Sequence, residues 1–227
     1  MTSCFSVVIP SRNLDNLTAC IAAVRKAGET CNVVVVDGGL ARRIGWWVGL
    51  GPILIIPGKQ PFIFARACNQ GILACNQNDV ILINDDALLE TTGGFTGLAR
   101  PTDWGILACT TNVTGYPAQQ RRMCLHERAV REVKCAAFVG VYIPRRTLTT
   151  VGLLDERFTG YGGDDVDYCL RVQQAGLKVG VSDFCFVDHA KLQSTFRPAA
   201  PGNAAPGDIS ESNRIGREKW GDKWPLR

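Results

Sequence analysis

Asn84, Asp85 and Asp86 directly follow the apolar run VILI, and their side chains are of the type that binds hard metal ions. A strand that ends in neighbouring carboxylates suits Mg²⁺ or Mn²⁺, because these ions take one or two carboxylates and leave other positions for substrate phosphates. A turn, or an N-cap for the next segment, explains the same residues without a metal. Both interpretations stay open from these residues alone.

A second acidic cluster, Asp164, Asp165 and Asp167, follows the glycine pair Gly162 and Gly163. The apolar spacing of the next residues predicts a helix, with Asp164 as its N-cap and Asp167 in a loose capping box. The positive end of a helix dipole also tolerates negative charge. Capping explains the first and third carboxylates but gives Asp165 no task, so a functional site is an equally good interpretation.

His189 is one of two histidines in the chain and comes directly after Asp188, at the end of the last predicted strand. Taken alone, such a histidine is more often a structural residue than a ligand. Its position at a strand end also makes it a candidate for a further metal ligand.

The composition is that of an ordinary globular protein. The chain has 227 residues, of which 46% are hydrophobic and 20% charged, so it can bury a substantial core. The net charge is +4, and most of the 25 basic residues are arginines. This mild basic excess suits a protein that handles phosphates, and it permits a nucleic-acid partner without requiring one.

None of the ten cysteines lies in a CxxC pair, which argues against a zinc knuckle or ribbon. They are scattered through apolar segments, and we expect small, reduced core residues. The N-terminus shows no signal-peptide pattern, and no apolar run reaches the ~18 residues needed to span a bilayer. The sequence therefore predicts a soluble, cytoplasmic protein without a transmembrane segment.

The first half of the chain alternates short buried strands with amphipathic helices. We predict strands over 4–10, 31–39, 51–58 and 79–89, and helices over 13–28 and 61–77. This order is typical of an α/β protein with a mostly parallel central sheet flanked by helices. Because ligands bind at the carboxyl ends of such strands, we expect the polar residues after three of them to share one edge.

In the second half we predict strands over 104–110, 134–144 and 177–189, a short helix over 145–152 and a helix after Gly163. A basic, polar loop covers 112–133. Residues 198–206 have the Pro, Ala and Gly content of a linker, and 209–224 predict a helix with Trp220 and Trp224 as anchors. We predict one domain over 1–197, with halves of about 1–110 and 111–197, followed by a linker and C-terminal helix over 198–227.

The ordered set of motifs resembles the GT-A fold glycosyltransferases, specifically the large family 2. Each motif is weak alone, but together they span about residues 4 to 196. The stretch from Gly162 to Asp165 resembles the Gly-Gly-Glu-Asp element of galactosyltransferases. The segments that resemble family motifs are, in chain order, SVVIPSRN, VVVVDGG, FARACNQGI, VILINDDALL, GLLDERFTGYGGDDVDYCLRVQQAGLKV and HAKLQST.

The resemblance implies a Rossmann-like GT-A domain and a role for the second acidic cluster. Asp165 would be the general base that takes the proton of the acceptor hydroxyl, and Asp164 would hydrogen-bond the acceptor. Gly162 and Gly163 would let the backbone pass close to the bound sugar.

The resemblance also implies a donor site and a divalent cofactor, Mn²⁺ or Mg²⁺. Asp86 and His189 would be the metal ligands, and the metal would neutralise the leaving diphosphate. Asp37 would accept from the base of the nucleotide, and Arg66 would reach the diphosphate. The residues assigned to donor binding are Pro10, Ser11, Arg12, Asp37, Arg66, Asn69, Asn84 and Asp85.

The predicted function is an inverting, metal-dependent glycosyltransferase of the hexosyltransferase type. It would use a nucleotide-diphosphate sugar, with a UDP-sugar favoured. One alternative is a nucleotidyltransferase, but PSRNLDN lacks the Gly-rich phosphate loop expected after the first strand. Another is a non-catalytic protein that binds sugar nucleotides or carbohydrates.

Two classes of acceptor stay open. One is a saccharide, as in the synthesis of surface polysaccharides. The other is a hydroxymethylated base in DNA, which the arginine excess permits. The basic clusters that could contact DNA are Arg121 with Arg122, Arg128 with Arg131 and Lys134, and Arg145 with Arg146. The sequence makes no prediction about oligomeric state.

Overall fold

The computed structural model describes residues 5–40, 49–100, 103–120, 128–192 and 209–225. The predicted linker over 198–206, the Arg121 and Arg122 pair, and the end of the HAKLQST segment lie outside these ranges. Within the described ranges, no helix is both long enough and apolar enough to cross a bilayer.

Four parallel strands form one side of the central sheet, in the spatial order β3-β2-β1-β4. Helices α1 and α2 make the crossover connections that parallel strands require. The elements are β1 (Phe5–Ser11), α1 (Leu14–Lys26), β2 (Asn32–Asp37), β3 (Ile53–Pro57), α2 (Phe64–Ala74) and β4 (Asp79–Ile83).

The second half of the chain extends the same sheet, in the order β4-β8-β6-β9-β5, and β7 also pairs with β9. The elements are β5 (Leu88–Leu89), α3 (Gly94–Leu98), β6 (Trp104–Thr111), β7 (Val130–Glu132), β8 (Gly140–Ile143), α4 (Arg145–Val151), α5 (Asp164–Gln174), β9 (Lys178–Asp188) and α6 (Ser210–Trp220). Single 3-10 turns cover Pro117–Gln119 and Gly221–Lys223.

The sheet is mixed but mostly parallel, as predicted. Strand β8 is antiparallel to both β4 and β6, and β9 is parallel to β6. Strands β6 and β9 therefore run in the same direction as β4. The exceptions among the described strands are β8 and the short strands β5 and β7, which are antiparallel to their partners.

Helices cover both faces of the sheet, so its central strands are buried on two sides. Val8 of β1 packs in the cluster that contains α2 and α5, whereas Val7 and Ile9 pack in the cluster that contains α1. Successive side chains of a strand point to opposite faces, which explains this division and the nearly continuous apolar run of β1. The eight cysteines within the described ranges are all free and buried, as predicted.

The structure corrects several predicted element boundaries. The strand predicted over 79–89 breaks at Ile83, because Asn84 begins a turn. Ala87 N closes this turn by donating a 3.2 Å hydrogen bond to Asn84 O. The strand predicted over 134–144 is confined to Gly140–Ile143. Strand β7 lies inside the predicted loop over 112–133, and α3 lies where no helix was predicted.

Candidate active site

The carboxyl ends of the strands bring the predicted polar residues to one edge of the sheet. Ser11 and Asp37 are register partners at the ends of β1 and β2, and Asn84 follows the end of the adjacent β4. Since β9 runs in the direction of β4, His189 reaches the same edge from the second half of the chain.

Asp86 and His189 are in direct contact at this edge. The Asp86 Oδ1 to His189 Nε2 distance is 3.1 Å, and His189 Nδ1 lies 3.2 Å from Val113 O. Asn112 supports this arrangement, because its Oδ1 accepts from His189 N and its Nδ2 donates to Asp188 Oδ1, both at 2.9 Å. Burial lowers the pKa of His189, but the hydrogen bond and charge of Asp86 outweigh burial and raise that pKa overall.

The chemistry of this contact fits a divalent ion that shares its coordination with a substrate. Asp86 and His189 are both buried and offer one carboxylate and one imidazole. Asn84 Oδ1 is buried without a hydrogen-bond partner, so the same turn holds an unused oxygen. The described residues contain no cluster of three or more His, Cys, Asp or Glu side chains at metal-binding spacing. Mg²⁺-type sites commonly have only one or two carboxylates and are completed by phosphates and water.

Asp85 ties the acidic turn to the loop after β1. Its Oδ2 accepts a hydrogen bond of 2.6 Å from Ser11 Oγ, and Ser11 is itself buried. Burial raises the pKa of Asp85 to about 6; the nearby charge of Asp86 adds to the rise, and the Ser11 hydrogen bond opposes it. Asp85 and Ser11 thus hold two of the predicted donor loops together.

Asp37 closes the turn after β2. Its Oδ1 accepts hydrogen bonds from Gly39 N at 2.9 Å and from Leu40 N at 2.7 Å. Pro10 lies one residue before the end of β1 and is the register partner of Val36, so it belongs to the sheet itself. The carboxylate of Asp37 is half-buried beside these loops.

Arg12 forms an exposed platform next to Asp37. Its guanidinium carbon lies 4.8 Å from the centre of the Phe62 ring, which is a cation–π distance. A Cβ at Gly38 would lie 2.5 Å from the Phe62 ring and 2.7 Å from Arg12 Cγ, so a larger residue there would displace both side chains. Phe62 was not predicted as a site residue, because no motif marks it.

Arg66 and Asn69 bind the loop that precedes the second acidic cluster. Asn69 Nδ2 donates to Leu154 O and to Glu156 Oε1, both at 3.0 Å, and Asn69 Oδ1 accepts from Leu154 N at 2.9 Å. Arg66 Nε lies 3.2 Å from Glu156 Oε2. The structure therefore joins these two predicted donor residues to Glu156, a carboxylate that sequence reasoning missed.

Helix α5 begins at Asp164, directly after two glycines with left-handed backbone. Gly162 has φ 69° and Gly163 has φ 88°, a conformation that strongly favours glycine. Gly163 is the N-cap, and no side chain caps the helix. The capping box predicted for Asp164 and Asp167 is therefore wrong, since Asp164 is already the first helical residue.

Asp164, which is buried, and Asp165, which is half-buried, form an acidic pair at the start of α5. Asp164 is only 7% exposed, and its Oδ2 has no hydrogen-bond partner. Burial, followed by the charge of Asp165, raises the pKa of Asp164 to about 7. Burial also raises the pKa of Asp165 to about 6, although backbone N–H groups such as that of Val166 oppose the rise. Carboxyls with such pKa values can exchange a proton near neutral pH.

Tyr161 and Tyr116 lie within electrostatic reach of the acidic pair. The pKa of Tyr161 is raised to about 12, mainly by burial and further by the charges of Asp165, Asp86 and Asp164. Burial, then the charge of Asp165, also raises the pKa of Tyr116. The charges of Asp86 and of the acidic pair thus both act on Tyr161. Its place before the glycines was a possible signal, whereas nothing marked Tyr116.

Asp167 has a structural role that differs from that of its two neighbours. It is fully buried and accepts from Arg171 Nε at 2.8 Å, one helical turn further along α5. Its Oδ1 also accepts from Trp220 Nε1 at 2.8 Å and lies 2.7 Å from Lys219 Nζ. Asp167 therefore attaches α6 to α5.

Several solved structures resemble this fold, and they are glycosyltransferases. GalNAc-T7 with UDP, GalNAc and Mn²⁺ matches with a TM-score of 0.69 and 15% identity, over 97% of this chain and 48% of that one. TarS 1-349 of S. aureus in complex with UDP matches with a TM-score of 0.60 and 13% identity, over 83% of this chain and 60% of that one. The mannosyltransferase PcManGT from Pyrobaculum calidifontis, with GDP-Man and Mn²⁺, matches with a TM-score of 0.63 and 13% identity. The match covers 86% of this chain and 59% of that one.

The protein has the GT-A fold that these structures share. It spans about half to three fifths of the length of these three chains. Comparison with family models and with curated protein sequences finds no match. At these identities the likeness concerns the fold, and the activity has to be argued from the site.

Proposed function

We propose that this protein is a metal-dependent glycosyltransferase that moves a hexosyl group from a nucleotide-diphosphate sugar to a hydroxyl of a saccharide, with inversion. One observation carries the proposal. The charge of Asp86, which contacts His189 as a metal-type pair, and the charges of the proton-accepting pair, Asp164 with Asp165, all act on the same residue, Tyr161. A transferase of this kind needs both functions within the length of one sugar.

The donor would occupy the edge formed by the ends of β1, β2 and β4. Asp37 would accept from the base, which we take to be uracil, and the Arg12 and Phe62 platform would support the nucleotide. Pro10, Ser11, Asn84 and Asp85 line the loops of this edge. Arg66 and Asn69 would act through the Glu156 loop, which they hold in place. TarS, one of the similar structures, was solved with UDP and with UDP-GlcNAc.

Asp86 and His189 would hold a divalent ion. When bound, the ion would supply positive charge to the diphosphate as it leaves. An imidazole ligand favours a transition metal over Mg²⁺, so we propose Mn²⁺. GalNAc-T7 and PcManGT were both solved with this ion.

Asp165 would act as the general base of a single displacement. The acceptor oxygen would form a bond to the anomeric carbon while the bond from that carbon to the diphosphate oxygen breaks, and the hydroxyl proton would pass to Asp165. Attack from the opposite side of the leaving group inverts the anomeric centre. Asp164, with its unused Oδ2, would hydrogen-bond a neighbouring acceptor hydroxyl and orient the attacking oxygen.

A saccharide suits this site better than DNA. Arg145 Nε donates to Asn78 O, and Arg146 Nη2 donates to Trp104 O, beside the starts of β4 and β6. These two arginines therefore lie at the opposite edge of the sheet from the acidic residues. Arg131 is paired with Asp183 and also donates to Ala118 O. Three arginines of the predicted basic clusters are thus occupied within the fold.

The test is turnover of UDP-, dTDP- and GDP-sugars with and without Mn²⁺, with methyl glycosides of common hexoses as acceptors. We expect one donor to be hydrolysed slowly and transferred faster, both only with metal. Asp86→Asn should abolish this turnover, and Asp15→Asn, an exposed carboxylate in α1, should not.

Other outcomes point to other functions. Metal-dependent binding of a nucleotide sugar without any turnover would favour the non-catalytic binder. Release of pyrophosphate from a nucleoside triphosphate and a sugar phosphate would favour a nucleotidyltransferase. Transfer to hydroxymethylated DNA but not to glycosides would replace the proposed acceptor.

A further inference from the structure

We propose that α6 and the 3-10 turn after it, residues 210–224, act as a strap that positions the acceptor carboxylates and leaves donor binding unaffected. The inference rests on the proposed function, in which Asp164 and Asp165 face the acceptor. It assigns a role in transfer to a C-terminal segment that carries none of the acidic or metal-type residues of the site.

The strap contacts the glycine loop directly. Ser212 Oγ donates to Tyr161 O at 3.1 Å, and a Cβ at Gly163 would lie 3.0 Å from Ser212 Cβ. Gly162 and Gly163 lose more conformational entropy than other residues would when the loop is ordered. Holding this loop in one conformation is therefore unfavourable in entropy. Contacts from outside the loop offset that cost.

The strap also holds the first turn of α5. Asp167, two residues after Asp165, is 0% exposed and receives Trp220 Nε1 and Lys219 Nζ from α6. A buried carboxylate needs partners, and removal of one partner from such a group is costly. The direction of the first turn of α5 is therefore linked to the docking of α6.

A third contact lies at the far end of the strap. The Trp224 and Phe158 rings stack with centroids 5.8 Å apart and an interplanar angle of 18°. A Cβ at Gly216 would lie 2.1 Å from the Trp224 indole, so Gly216 makes room for this ring. Lys219 Nζ also lies 2.8 Å from Asp155 Oδ2.

These contacts all meet the segment from Asp155 to Asp167, which surrounds the acceptor carboxylates. The proposed donor residues on the loops after β1, β2 and β4 make hydrogen bonds within those loops and with His189. Arg66 and Asn69 instead bind Glu156, inside the segment that the strap contacts. Loosening the strap should therefore separate two activities that a general loss of folding would reduce together.

The experiment compares Ser212→Ala, Trp220→Phe and Trp224→Ala with the native chain, below the Tm of every variant. Each variant weakens the strap at one residue, and Trp220→Phe removes the N–H donor to Asp167 while keeping a smaller aromatic ring. We expect transfer to methyl glycosides to fall about 10-fold to 100-fold, because small misplacement of a reacting group has effects of this size. Donor Kd and donor hydrolysis should change less than about 2-fold.

Two controls belong to this experiment. Trp224→Phe keeps the aromatic stacking and should restore most of the transfer. Arg214→Ala lies on the exposed face of α6, where Arg214 pairs with Glu211 and Glu218, and should leave the ratio of transfer to hydrolysis unchanged. Equal losses of transfer and hydrolysis in the strap variants, or no loss, overturn the inference.

Hydrogen exchange separates failure of the strap from failure of the proposed function. Amides of residues 158–167 should exchange faster in Ser212→Ala and Trp220→Phe than in Arg214→Ala. Unchanged exchange rejects the strap even if the enzyme is active. Faster exchange in the strap variants, together with a native chain that turns over no donor, supports the strap as a positioning element and rejects the glycosyltransferase.

Discussion

The proposed donor edge and Asp164 of the proposed acceptor pair hold their carboxylates in different ways. On the donor edge, Asp37 accepts from backbone amides, Asp85 accepts from Ser11, and Asp86 meets His189. On the acceptor side, Asp164 is buried with an unused oxygen, and its pKa is raised to about 7. Binding a nucleotide needs carboxylates held in place, whereas taking a proton needs a carboxylate whose charge is poorly stabilised.

Asp165→Asn should give the largest loss of transfer, and it tests most directly whether the two groups of carboxylates have different roles. Without a base, transfer should fall by about 100-fold to 10,000-fold, while donor binding stays unchanged. Steady-state transfer assays and isothermal titration with UDP check the two halves of this prediction. Asp15→Asn serves as the control, and a variant with full transfer would remove Asp165 from the mechanism.

His189→Ala tests the donor side. Asp86 keeps its carboxylate but loses its buried partner, so Mn²⁺ affinity in the presence of UDP should fall about 10-fold or more. Electron paramagnetic resonance of free Mn²⁺ measures this directly. The acceptor carboxylates should be unaffected, so residual transfer at saturating Mn²⁺ should keep the native pH profile. Native Mn²⁺ affinity in this variant would exclude His189 as a ligand.

The pH profile of transfer should report the acceptor pair. The pKa of Asp165 is raised to about 6, so its carboxylate form, and with it the rate, should fall about 10-fold per pH unit below that value. A rate that stays level down to pH 4.5 would mean that Asp165 keeps an ordinary carboxyl pKa.

Asp164→Asn should stabilise the fold while it weakens transfer. The folded-state pKa of Asp164 is raised from 3.8 to about 7, so the folded chain keeps a proton that the unfolded chain has already lost. Stability therefore decreases as pH rises from about 4 to about 7, and the variant removes this loss. At pH 8 we expect the Tm to rise by about 2–4 °C for each kcal/mol gained in the free energy of unfolding. The rise should be smaller at pH 5. A lower Tm at pH 8 would contradict the assignment.

Ser11→Ala should give the smallest effect, and it should lower the stability of the fold where Asp164→Asn raises it. It removes the 2.6 Å hydrogen bond to the half-buried Asp85 and should cost about 1 kcal/mol. Thermal unfolding should show a Tm lower by about 2–4 °C. Thr149→Ala, whose hydroxyl bonds only within its own exposed helix, is the matched control. A Ser11 variant more stable than the native chain would show that the donor carboxylates are strained as well.

The sequence was informative where structure is local. The alternation of strands and helices predicts β1 to β4, and the polar residues after these strands reach one edge as expected, because parallel strands end together. The strand-end position made His189 a candidate metal ligand, and the family resemblance placed it together with Asp86. No local pattern indicates a contact between residues so far apart in the chain.

What the sequence did not predict depends on long-range contacts. The strand predicted over 79–89 contains enough apolar residues, but Asn84 and Asp85 are held in a turn by partners elsewhere in the chain. Asn69 resembles a donor residue in sequence, and yet its amide group binds Leu154 and Glu156. Partners of this kind are set by the packing of whole elements and are not encoded in spacing.

The position of β9 has a consequence for the order of folding. This strand lies between β6 and β5 in the sheet, and it delivers His189 to a carboxylate that follows β4. The proposed metal pair is therefore complete only when β9 is in place in the sheet, so metal binding would require this strand to be folded. A bound ion should accordingly slow unfolding much more than it speeds folding, and resistance to proteolysis would then depend on the supply of metal and nucleotide.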